Sequence, residues 1–83
     1  IIMKTLKYFS AKWCGPCRAF RPVMEEIASE GYSIQFIDID EAGGLADTYK
    51  ISAVPTIVIE ENGNVIDRFS GVIPKQQVID KLL

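Results

Sequence analysis

Cys14 and Cys17 are the two cysteines of an 83-residue chain, set in the run Trp13-Cys14-Gly15-Pro16-Cys17-Arg18. Thiols one helical turn apart can close a small-ring disulfide or open to a dithiol with little backbone movement. An apolar stretch from Leu6 to Phe9 leads in, and a helical pattern leads out. The pair therefore reads as the turn of a strand–turn–helix. Cys14 falls at the helix N-terminus, where unpaired N–H groups and the helix dipole favour a thiolate. Each pKa unit gained there is worth about 1.4 kcal/mol. Cys17 falls inside the first turn and is less accessible. That asymmetry suits an attacking thiol and a resolving thiol.

Two other uses of this spacing compete with redox chemistry. Zinc takes about four ligands. The chain has no His and no further Cys, so a zinc site would need a second chain, and no metal-binding residue is assigned. An inert structural disulfide closes a ring so small that it restricts the unfolded chain little and stabilises little.

The elements that must position the pair follow from apolar periodicity. Met3 to Ser10 reads as a first strand, with Leu6, Tyr8 and Phe9 carrying the β preference. A helix runs from about Cys14 to Ser29, because Phe20, Val23, Met24, Ile27 and Ala28 recur on one face. Pro22 inside it should kink it, and Gly31 ends it. Ile34 to Asp38 is nearly continuously apolar, as expected for a strand covered on both faces. A parallel βαβ unit results. A loop of Asp40, Glu41, Gly43 and Gly44 leads to a short helix, about Gly44 to Tyr49. The third strand, Thr56 to Glu60, joins Val65 to Ser70 through the hairpin signal Asn62-Gly63. Pro74 suits a first helical turn, and Val78, Ile79, Leu82 and Leu83 form one apolar face. The chain reads as one α/β domain, residues 1–83: a four-stranded mixed sheet flanked by three helices, in the order βαβαββα.

Composition excludes several classes. Net charge is −2 with no basic cluster, which argues against a nucleic-acid surface. No apolar run approaches the roughly 20 residues that span a bilayer. Two cysteines at redox spacing, without a disulfide framework, fit a reducing cytoplasm. Met3 reads as the natural start, with Ile1 and Ile2 as extra residues ahead of it.

The chain resembles the thioredoxin family. Trp13-Cys14-Gly15-Pro16-Cys17 is that family's active-site motif, letter for letter. Pro22 stands where thioredoxins kink the helix, and Val54-Pro55-Thr56 matches their loop with a cis-proline facing the active site. Asn62-Gly63 matches their hairpin turn, and Gly71 the glycine that lets a partner chain approach. The extra N-terminal strand and helix of full-length members are lacking, so the chain looks like a short, glutaredoxin-sized thioredoxin.

The resemblance implies a thioredoxin-like fold and protein-disulfide reduction by thiol–disulfide exchange through a mixed disulfide. Cys14 and Cys17 are the implied catalytic pair, forming a redox-active disulfide with no bound cofactor. Trp13, Gly15 and Pro16 tune them. Trp13, Val54, Pro55, Gly71 and Val72 form the implied substrate-binding face. Implied partners are disulfide-containing proteins and a thioredoxin reductase, flavoprotein or ferredoxin-linked, with no nucleic acid or membrane. The protein is expected to be a cytoplasmic monomer. Glutaredoxin-like or isomerase activity is an alternative, as is a non-catalytic binding module. Two positions depart from the family. Thioredoxins carry a buried Asp beneath the dithiol and a Lys beside it, and the matching residues here are Tyr8 and Phe36. Replacing both avoids a buried unpaired charge, which would cost several kcal/mol. It leaves the proton acceptor for Cys17 open between water and the Tyr8 hydroxyl, a poor base with an ordinary pKa near 10. Lys12 and Arg18 flank the dithiol and are expected to be solvated.

Overall fold

A computed structural model describes residues 4–41 and 43–83. Its elements are β1 (Lys4–Ser10), α1 (Gly15–Ser29), β2 (Ser33–Asp38), α2 (Leu45–Thr48), β3 (Thr56–Glu61), β4 (Asn64–Ser70) and α3 (Lys75–Leu82). The predicted start of the first strand, Met3, lies outside the described residues. The four strands form one sheet in the order β2-β1-β3-β4. β1 runs parallel to β2, while β3 runs antiparallel to both β1 and β4. Among the described residues, no helix is long and apolar enough to cross a membrane.

Strand alternation divides the core between the two faces of the sheet. Leu6 and Tyr8 of β1 and Ile57 and Ile59 of β3 face one way. They pack against Phe20, Met24 and Ile27 of α1 and Val78, Ile79 and Leu82 of α3. Phe9, Val58 and Ile37 face the other way, under Leu45, Tyr49 and Ile51. The second face is thinner, because only α2 and its flanking loops cover it. It also carries charge. Glu60 is buried there, with Lys7 Nζ at 3.0 Å and the Tyr49 hydroxyl donating to its other oxygen. Burial alone would raise the Glu60 pKa, but the hydrogen bonds from Tyr49 and Lys7 outweigh it and hold the carboxyl below its ordinary value.

Three expectations need correction. β2 is not covered on both faces. It is an edge strand, and of its apolar residues only Ile37 is buried, with Ile34 and Phe36 half-buried. The strand buried throughout is β3, one of the two interior strands, where Thr56 to Glu60 are all buried. Pro74 precedes α3 rather than opening it, because its extended ψ of 146° makes it the N-cap. Leu83 follows the last turn of α3 and is exposed. The hairpin forms as expected. Asn62 and Gly63 both have positive φ, 54° and 84°, the pairing that two-residue turns between twisted strands require. A bulge follows, in which Ile66 has no partner between the pairs Ile59–Asp67 and Glu60–Val65.

Phe20 ties the dithiol-bearing helix to the sheet through an edge-on contact with the Tyr8 ring, 5.9 Å between centroids. Truncating it leaves a cavity under α1. Phe20→Ala is expected to lower unfolding free energy by about 3–5 kcal/mol, read as a lower urea midpoint at unchanged slope.

Candidate active site

β1 ends at Ser10, and the chain turns sharply into α1. The Cys14 N–H donates to the Ala11 carbonyl at 3.1 Å. Cys14 is therefore the N-cap of α1, with extended backbone angles, not its first residue. Its Sγ accepts the Cys17 N–H at 3.2 Å, so a sulfur takes the place that a serine or aspartate oxygen fills in most caps. Gly15 and Pro16 occupy the first two helical positions, where the missing proline N–H costs nothing. Cys14 and Cys17 are joined as a disulfide with Cα atoms 5.2 Å apart. Both are buried, Cys14 at 6% exposure and Cys17 at 2%. The expected asymmetry of access is small in area; the larger difference is that Cys14 faces the helix N-terminus.

The opposite wall is the loop entering β3. The Val54–Pro55 peptide is cis, and Pro55 is buried. The Val54 carbonyl oxygen lies 3.8 Å from Cys14 Sγ. A disulfide sulfur has no proton to give, so this is a contact and not a hydrogen bond. Two anchors hold the loop. Thr56 Oγ1 reaches the Ala53 carbonyl at 2.6 Å and Ser70 Oγ at 3.0 Å. The Gly71 N–H donates to the Pro55 carbonyl at 2.9 Å. Gly71 sits at φ 92°, and a side chain there would meet no atom of the chain, so the space above it is open. Val72 (56% exposed) follows, and Trp13 (65% exposed) stands across the dithiol. A groove of about 380 Å³ runs from Trp13 past Ile39 and Ile51 to Val54. The structure thus brings Trp13, Cys14, Val54, Pro55, Gly71 and Val72 to one face.

Beneath the dithiol, Tyr8 and Phe36 are cross-strand neighbours, their rings edge-to-face at 5.9 Å. The Tyr8 hydroxyl donates to the Cys17 carbonyl at 2.8 Å. Burial pushes its pKa up to about 12, against the opposing pull of the Arg21 charge. This removes Tyr8 as the proton acceptor for Cys17: the hydroxyl stays protonated across neutral pH, and its proton is engaged. Arg21 lies 4.5 Å above the Phe36 ring and pairs with Glu25. Lys12 turns to Glu41 at 2.9 Å, and Arg18 to the Lys12 carbonyl at 2.7 Å. Neither cation is bonded to a sulfur.

Asp40 is the residue that sequence reasoning missed. It accepts the Trp13 indole N–H at 2.9 Å across 27 positions of chain. No local spacing signals that bond. It exists because β1 and β2 end side by side, with Ser10 opposite Asp38 and the Ile39 N–H on the Ser10 carbonyl at 2.9 Å. Among the described residues, no group of three or more His, Cys, Asp or Glu is placed to hold a metal ion.

Comparison with known proteins gives one consistent result. The sequence model of the family described as Thioredoxin matches residues 3–83. A thioredoxin of Mycoplasmoides gallisepticum is 33% identical over 95% of this chain and 81% of its own length. One from Chlamydia pneumoniae is 40% identical over 82% of this chain and 69% of its own. A thioredoxin mutant from Halobacterium salinarum superimposes with a TM-score of 0.90 at 32% identity, over 96% of this chain and 72% of that one.

The buried Tyr8 hydroxyl carries a signed pH dependence. With its folded pKa raised from 10.0 to about 12, the native state holds the proton where the unfolded chain has lost it. The stabilisation is full below about pH 10 and is lost as pH climbs toward about 12. Tyr8→Phe is expected to cost about 1 kcal/mol near neutral pH. Urea titrations of both proteins should show that difference shrinking through the alkaline window.

Proposed function

From the premise that this chain belongs to the thioredoxin family of protein-disulfide oxidoreductases, we propose a division of labour between its two sulfurs. Cys14, once reduced, is the attacking thiolate. Its sulfur already accepts the Cys17 N–H and caps the helix, so negative charge there meets a donor and the positive end of the helix dipole. It attacks one sulfur of a protein disulfide and forms a mixed disulfide. Cys17 then attacks Cys14, releases the reduced substrate and leaves the Cys14–Cys17 disulfide. The observation that carries this reading is that disulfide itself, seated at a helix N-terminus and facing the Val54–Pro55 loop.

The substrate chain lies over Gly71 and between Trp13 and Val72, pairing with the Val54 backbone like an added strand. The open space above Gly71 and the exposed apolar side chains of Trp13 and Val72 support this. Gly15 and Pro16 restrain the turn between the sulfurs. Disulfide-containing proteins are the substrates. A thioredoxin reductase, flavoprotein or ferredoxin-linked, restores the dithiol. The protein acts as a cytoplasmic monomer with no bound cofactor.

Serine substitutions separate the two roles. Cys14→Ser should abolish insulin reduction. Cys17→Ser should retain the attack and accumulate a covalent adduct at Cys14, seen as a mass increase that a reducing agent removes. A Cys17→Ser protein that forms no adduct overturns the assignment.

A further inference from the structure

Resolution of the mixed disulfide requires Cys17 to lose its proton, and the space beneath it offers no base. Tyr8 is a donor to the Cys17 carbonyl, and Phe36 has nothing to titrate. Cys17 also forms part of the wall of a second cavity, separate from the Trp13 groove and about 370 Å³ in volume. A water occupies about 30 Å³ of liquid, so this space takes several. Two carboxylates share the wall, Asp38 and Glu41.

We propose that Asp38 accepts the Cys17 proton through water in this cavity. The inference rests on the reading of Cys17 as the resolving thiol. Asp38 ends β2 directly opposite Ser10, so it is fixed to the strand that leads into the dithiol turn. Its Oδ1 accepts the Asp40 N–H at 2.8 Å, and among the described residues that is the one hydrogen bond to its carboxylate. Oδ2 remains for water. Charged groups of both signs surround it, and most are held by other partners. Lys12 faces it from the turn before α1, Arg18 and Arg21 from α1, and Asp40 and Glu41 from the segment after β2. Glu41 is held by Lys12, Arg21 by Glu25, and Asp40 by the Trp13 indole. Arg18 makes no ion pair among the described residues and gives its Nη1 to a neutral carbonyl. Its charge is left to stabilise a thiolate forming on the same wall.

The step balances. The Cys17 S–H bond breaks and its proton passes through water to the Asp38 carboxylate. The Cys17 thiolate bonds to the Cys14 sulfur, and the bond from Cys14 to the substrate sulfur breaks. The departing substrate thiolate takes a proton, returned by Asp38 through the same water. The dithiol has lost two electrons and two protons, and the substrate disulfide has gained both.

The test uses reduced protein mixed with a chromogenic aryl disulfide, which releases one coloured thiolate when Cys14 attacks and another when Cys17 resolves. The readout is the rate of the second release relative to the first, against pH. In the native protein the ratio should be nearly flat across neutral pH. In Asp38→Asn, which keeps an oxygen for the Asp40 N–H, it should fall on the order of 10²-fold, the low end for a lost general base. It should then rise about tenfold per pH unit, because a free thiol ionises only near pH ~8.5. Asp38→Glu should recover part of the flat profile. A profile for Asp38→Asn that superimposes on the native one overturns the proposal and leaves the role of Cys17 intact. So does an effect carried by Glu41→Gln instead, which would make Glu41 the acceptor. A second release that persists in Cys17→Ser overturns the role of Cys17, and the proposal with it.

Discussion

Two sulfurs that must each carry negative charge in turn are both buried in the fold. Most of the site's construction answers that constraint. For Cys14 the answer is local. The Cys17 N–H and the first turn of α1 supply fixed positive ends at no reorganisation cost. That answer depends on α1 staying in place, which is the work of Phe20, Met24 and Ile27 against the sheet. It also depends on the facing loop, where Thr56 and Gly71 tie down the chain on either side of Val54 and Pro55. The groups that hold the chemistry thus come from segments far apart in the chain.

For Cys17 the answer cannot be the same, because its own N–H is spent on Cys14. A buried carboxylate beneath the dithiol would serve, but it would need a buried cation beside it, since one charge left unpaired costs several kcal/mol. Tyr8 and Phe36 occupy two positions that face each other across β1 and β2. Their edge-to-face contact fills the floor beneath the dithiol with an aromatic pair and no charge. The result is a packed floor in which nothing titrates until about pH 12. Proton traffic is thereby moved sideways, to the cavity where the ends of β1 and β2 meet α1.

Much of this was legible in the chain itself. The dithiol spacing, the apolar face from Phe20 to Ile27 and the Asn62-Gly63 turn are local patterns, and each appears where its residues predict. The positions of Val54, Pro55, Gly71 and Val72 were legible only through resemblance, because nothing in their own neighbourhood points toward Cys14. What escaped reading was set by which strands became neighbours. β2 looks like an interior strand by its run of Ile and Phe, yet its place at the sheet edge leaves Ile34 and Phe36 half-covered. Glu60 ends the predicted third strand, and its burial, with Lys7 and Tyr49 converging on it, has no local signal. The Trp13–Asp40 bond joins two loops through strand order, not through sequence distance.

That bond also bears on what the site can choose between. The indole is half of the most exposed apolar pair on this face, and a free Trp there would sample several rotamers. Its N–H bond to Asp40 ties the ring to the segment after β2. Val54 and Val72 are apolar as well, and the charged side chains nearest the dithiol, Lys12 and Arg18, are turned to Glu41 and to backbone. On the proposed docking face a substrate would meet an apolar rim and main-chain groups, with little charge to match. Recognition built this way reads the shape and extended conformation of a peptide more than its sequence. Such recognition would tolerate many partners and leave discrimination to how well each disulfide can be brought within reach of Cys14.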